Sequence, residues 1–118
     1  MTAKIVKIAL ISKIEFTGAT MSHFMVEIDL PEIITDEFIN TIPYQRDHIN
    51  QLMTKKIVAS YSLDIHRSKV WVTVIGNSEQ FTHDVISKFP LARFMNWTIF
   101  ELAFYNSVAL TFPDISVN

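Results

Sequence analysis

A chain of 118 residues and 13.6 kDa is the size of one ordinary domain, and 49% hydrophobic with 19% charged residues excludes a disordered segment. The absence of cysteine excludes a disulfide framework, a thiolate metal knot and a cysteine nucleophile, and suits a reducing, cytoplasmic setting. A net charge of -2 gives no electrostatic pull toward nucleic acid or an anionic membrane surface. A core of useful size is affordable at this length, and the surplus of apolar groups points to self-association as an outlet.

Residues 4–14 (KIVKIALISKI) are apolar but interrupted by Lys7 and Lys13, which leaves a run far short of the roughly 20 residues a membrane span needs. The run is also shorter than the core of a typical signal peptide, although Lys4, Lys7 and the small Gly18-Ala19-Thr20 have its flanking character. Residues 1–20 are therefore expected to be an extension, as an extra strand or short helix, before a domain over residues 21–107.

Residues 23–30 (HFMVEIDL) alternate strictly, with Phe24, Val26, Ile28 and Leu30 opposite His23, Met25, Glu27 and Asp29, which predicts a strand ended by Pro31. Thr35 followed by Asp36 and Glu37 reads as an N-cap and an acidic first turn, opening a helix that runs to about Lys55. Phe38, Ile42, Ile49, Leu52 and Met53 form its apolar stripe, and Pro43 predicts a kink or restart. Residues 57–65 alternate as a second strand, with Ile57, Ala59, Tyr61, Leu63 and Ile65 on one side. A polar connection of His66, Arg67, Ser68 and Lys69 leads to a β-branched third strand over 70–75, and the two strands form a hairpin.

Gly76-Asn77-Ser78 turns the chain, and Asn77 with Gln80 has capping-box spacing for a second helix carrying Phe81, Val85 and Phe89 inward, closed by Pro90. A fourth strand over 96–105 sets Thr98, Phe100, Leu102 and Phe104 against Trp97, Ile99, Glu101, Ala103 and Tyr105. The tail, 108–118, is apolar enough to require a partner surface, either a neighbour or the N-terminal extension. The order strand, helix, strand, strand, helix, strand predicts an α+β, ferredoxin-like βαββαβ domain with helices on one face of a four-stranded antiparallel sheet. With the greasier sides of the outer elements toward the helices, the other face carries Met25, Glu27, Asp29, Trp71, Thr73, Trp97, Ile99, Glu101 and Tyr105. Such a mixed face suits packing against a second sheet, as in dimeric α+β barrels built around a pocket.

The segment Phe89-Pro90-Leu91-Ala92-Arg93-Phe94-Met95 leading into Trp97-Thr98-Ile99-Phe100-Glu101, with the opening strand stopped at once by Pro31, resembles the muconolactone delta-isomerase family over about residues 21–107. The resemblance implies a dimeric α+β barrel that acts without a cofactor, moving a proton around an unsaturated lactone or small organic acid. That chemistry needs a base for an acidic C–H and donors for the developing dienolate oxygen. The family carries a lysine in the first strand where this chain has Met25, which removes a cation that would steady an anionic substrate. The other expected class is a non-catalytic ligand-binding or assembly module that keeps the barrel.

Glu27 and Glu101, on neighbouring strands and by parity on one face, are the candidate acid–base pair, with rim residues paired to lysine as the structural alternative. His23 opens the first strand with a side chain suited to proton transfer near neutrality. Arg46, or its neighbour Gln45, leans toward protein and could clamp a carboxylate or brace Glu37 or Asp47. Tyr61 and Tyr105 are candidate oxyanion donors, and Trp71 and Trp97 candidate walls for a flat ligand, each equally suited to interface packing. The four histidines have no metal-ligand spacing, so no metal is expected. With glycine only at Gly18 and Gly76, neither a Walker loop nor a dinucleotide fingerprint can be drawn.

Overall fold

A computed structural model describes residues 21–108. The readings for residues 1–20 and for the tail past Val108 lie outside the described residues. The elements follow in order β1 (Ser22–Asp29), α1 (Asp36–Thr54), β2 (Val58–Leu63), β3 (Lys69–Gly76), α2 (Glu79–Ser87), a 3-10 turn (Ala92–Phe94) and β4 (Asn96–Glu101). The strands form one antiparallel sheet in the order β2-β3-β1-β4, with both helices on one face. This is the ferredoxin-like α+β arrangement the element order predicts.

The core lies between that face and the helices. β1 supplies Phe24, Val26 and Ile28, β3 supplies Val70, Val72 and Val74, and all six are at least 98% buried. Phe38 and Ile49 of α1, Ile86 of α2, and Leu91 and Met95 of the following segment close it. Burying each such side chain contributes about 1.5–3 kcal/mol, so the alternation in β1 and β3 is the main force that seats the helices.

Thr35 caps α1 by accepting from the Phe38 amide at 3.2 Å, as its position before two acidic residues predicts. The helix runs through Pro43 without restarting, because a 19-residue helix packed along one side tolerates one lost backbone bond. Its exit is a Schellman motif: the Lys56 amide donates to the Met53 carbonyl and the Ile57 amide to the Leu52 carbonyl, with Lys56 at φ 61°. α2 begins one residue later than its Asn77-based spacing suggests, since Ser78, not Asn77, accepts from the Phe81 amide at 3.0 Å. Its most buried positions are Thr82 and Ile86, with Phe81 and Val85 at the flank. Gly76 has a steric reason to be glycine, because a β-carbon there would lie 2.3 Å from a ring carbon of Phe81.

Two strands differ from their predicted faces. In β2 the register slips between Val58 and Ser60, so Ala59 is a bulge, and Val58, Tyr61 and Leu63 share the helix side opposite Val74, Val72 and Val70. In β4, Ile99 pairs with Val26 and Trp97 with Ile28, which puts Trp97, Ile99 and Glu101 on the helix side and Thr98 and Phe100 on the other. Both sides of this strand are apolar, so alternation could not choose between them. The choice is made upstream: Met95, 6% exposed as it leaves the 3-10 turn, sets the phase that Trp97 and Ile99 continue.

Candidate functional site

The second sheet face, which no helix covers among the described residues, holds His23, Met25, Glu27 and Asp29 of β1 opposite Ile75, Thr73, Trp71 and Lys69 of β3. Lys69 binds both carboxylates, its Nζ lying 3.1 Å from Glu27 Oε2 and 2.5 Å from Asp29 Oδ1. Asp29 and then Glu27 hold its ammonium above the usual lysine range. Glu27 is thus the lysine-paired residue of the structural alternative. Glu101 lies on the opposite face, exposed, accepting from the Ser22 hydroxyl at 3.1 Å. The two carboxylates do not converge, because β4 adopts the other parity.

His23 stacks on Tyr105 with ring centroids 4.3 Å apart and planes 9° from parallel, and partial burial pulls its imidazole below the ordinary value. Trp71 lies on the same face, opposite Glu27 and Ser62. Trp97 lies on the other, its indole N–H donating to His83 Nδ1 at 3.2 Å. The two tryptophans therefore cannot wall one ligand between them. Among the described residues no three histidine, aspartate or glutamate side chains are grouped to hold a metal ion.

A cavity of about 630 Å³ opens elsewhere, on the helix side, between α1 and the β2 edge. One wall is α1: Phe38, Ile42, Ile49 and Met53 recur at helical spacing, with Ile39, Arg46 and Asn50 beside them. The facing wall is Tyr61 and Leu63 of β2 and Val70 of β3, and Leu91 and Met95 contribute from the segment after α2. Arg67, in the β2–β3 turn, adds a second guanidinium. This volume is in the range of small-molecule sites, which are mostly apolar with a few placed polar groups.

Those polar groups have a defined arrangement. Gln45, 3% exposed, is the residue that turns into the protein, while Arg46 is exposed at the groove. The Leu91 amide donates to Gln45 Oε1 at 3.0 Å, which leaves Nε2 to face the Tyr61 hydroxyl at 3.4 Å. The amide orientation is therefore dictated by a backbone N–H that would otherwise be buried without a partner. Burial raises the Tyr61 hydroxyl above the usual tyrosine value, outweighing the Gln45 bond, so it stays protonated at neutral pH. Its oxygen accepts from Gln45, which frees its own hydrogen to donate into the groove.

Of the predicted ligand-contacting residues, the groove brings Arg46 and Tyr61 together and leaves Trp71, Trp97 and Tyr105 elsewhere. Sequence reasoning missed Arg67 and Asn50, and weighed Gln45 only as Arg46's neighbour. Asn50 was findable from its spacing of four from Arg46 on the helix, whereas Arg67 reaches the groove only through the hairpin. The segment over residues 89–95 has a packing role: Phe94 meets Phe38 edge-on at 5.3 Å, and Arg93 lies over the Phe94 ring and 3.4 Å from Glu37. No protein-family model matches the chain, and neither does any curated protein.

Proposed function

We propose that this domain is a non-catalytic binding module that takes a small apolar organic acid in the groove between α1 and β2. The observation that carries this reading is the composition of the lining: apolar along both walls, with Arg46 and Arg67 and no aspartate, glutamate or histidine. Neither arginine is in a salt bridge among the described residues, so both are available to an anion. The isomerase reading needs a base against the substrate, and the groove offers none. On the other sheet face Glu27 is engaged by Lys69, which also weighs toward binding rather than turnover.

A thermal-shift screen of lactones, small aromatic acids and aliphatic acids tests this on the wild type, Arg46→Ala and Glu27→Gln. Acids are expected to stabilise the wild type, by about 2.7 kcal/mol at a hundredfold excess over Kd, and Glu27→Gln equally. Arg46→Ala should lose most of the effect. Stabilisation that survives Arg46→Ala and vanishes in Glu27→Gln would overturn the groove assignment and favour proton-transfer chemistry on the open sheet face.

A further inference from the structure

We propose that the ligand of this groove is elongated: an unbranched aliphatic monocarboxylate, its chain lying along α1 and its head at the guanidinium-lined rim. The inference rests on the reading that the groove binds an organic acid, and adds the shape of that acid. From Phe38 to Met53 the apolar lining of α1 extends about 22 Å at about 1.5 Å per residue, the length of several helical turns. A compact lactone or a single aromatic ring would cover a turn or two of it and leave the remaining apolar surface wet. Arg46 stands near the middle of that wall, so a flexible methylene chain whose head is held there can follow it for about 11 Å to one end, and each methylene removed from water favours binding about fourfold.

The polar side chains of the lining include two cations suited to an anionic head. Arg46 projects from the helix wall and Arg67 from the facing hairpin turn, both exposed, and no acidic side chain of the lining competes for them. The Tyr61 hydroxyl, oriented by Gln45, adds a neutral donor on the β2 side. A neutral alkane would engage none of these three donors, whereas a carboxylate can take charge-assisted bonds from the rim.

Titration of the full-length protein with saturated acids of six to sixteen carbons, with benzoate and phenylacetate as compact acids and with matched alcohols, tests the shape and the head separately. Affinity is expected to rise with chain length until the groove is filled, and each alcohol to bind at least tenfold more weakly than its acid. Arg46→Ala and Arg67→Gly should each weaken the acids about tenfold and leave the alcohols unchanged. Arg67 sits at φ 58°, where glycine is at ease, so that substitution removes the guanidinium without straining the turn. Compact acids that bind as tightly as the long ones would overturn the elongated ligand while sparing the binding reading. Failure of every acid, long or compact, to bind would overturn both, and arginine variants that bind like the wild type would overturn the placement of the head.

Discussion

Single side chains here settle questions far larger than themselves. Asp64 organises the β2–β3 turn: its carboxylate accepts from the Ser68 and Lys69 amides at 2.6 and 2.8 Å, from the Ser68 hydroxyl at 3.0 Å and from the His66 amide at 3.3 Å. These bonds, the one from the Lys69 amide foremost, hold its carboxyl below the usual value of 3.8. The folded state therefore binds this proton less readily than the unfolded chain. The resulting stabilisation is complete above the unfolded value and is lost as pH falls through the folded one. Asp64→Asn should show a shallower fall in Tm than the wild type between pH 5 and 3, and thermal melts across that interval provide the check. Gln45 acts at the same scale, since one amide secures the Leu91 backbone and aims the Tyr61 hydroxyl.

Elements are placed by the patterns of the strands and finished by their ends. α1 is held by Phe38 and Ile49 below and by its Thr35 cap at one end, while its other end requires a left-handed residue that is not glycine. An L side chain in that conformation costs about 1–2 kcal/mol; glycine avoids that cost but loses part of the gain, because its unfolded chain has more freedom to give up. Lys56→Gly is expected to stabilise the domain by about 0.5–1 kcal/mol, measured as a shift of the urea midpoint at constant m-value. The opposite outcome would mean that the Lys56 side chain contributes more than its backbone strain costs. α1 also carries more apolar surface than the sheet covers, with Ile39 at 51% and Met53 at 37% exposure, and this excess is the wall of the groove.

At the scale of the molecule, one sheet has two different uses. Its helix side makes the core and, past the edge of α1, the groove; its other side carries Met25, Trp71, Ile75 and Phe100 among polar neighbours. Phe100 is 51% exposed, and the Met25, Thr73 and Ser60 side chains are joined by hydrogen bonds across three strands. We propose that a second copy of the chain covers this face, which its mixture of exposed apolar and polar side chains suits. Light scattering at micromolar concentration should give at least twice 13.6 kDa, and Phe100→Glu, placing a charge at the junction, should return the particle to a monomer. A wild type that is monomeric throughout would overturn self-association without touching the groove, which lies on the other side of the sheet.

The amino-acid order by itself determined the element sequence, the ferredoxin-like α+β class, the cap at Thr35, the hairpin and the core faces of β1 and β3, because each follows from local periodicity or local capping chemistry. It also named Arg46 and Tyr61 as candidate ligand contacts, and the structure brings both to one groove. Only the tertiary structure decided which way β4 faces, since both of its sides are apolar and Met95 sets the phase from outside the strand. That choice separated Glu27 from Glu101 and Trp71 from Trp97. The bulge at Ala59 likewise placed Tyr61 beside Gln45, and the hairpin delivered Arg67 to the groove, neither of which any pattern along the chain could encode. Periodicity reports a side chain's neighbours along its own element, whereas a binding site is made of neighbours contributed by other elements.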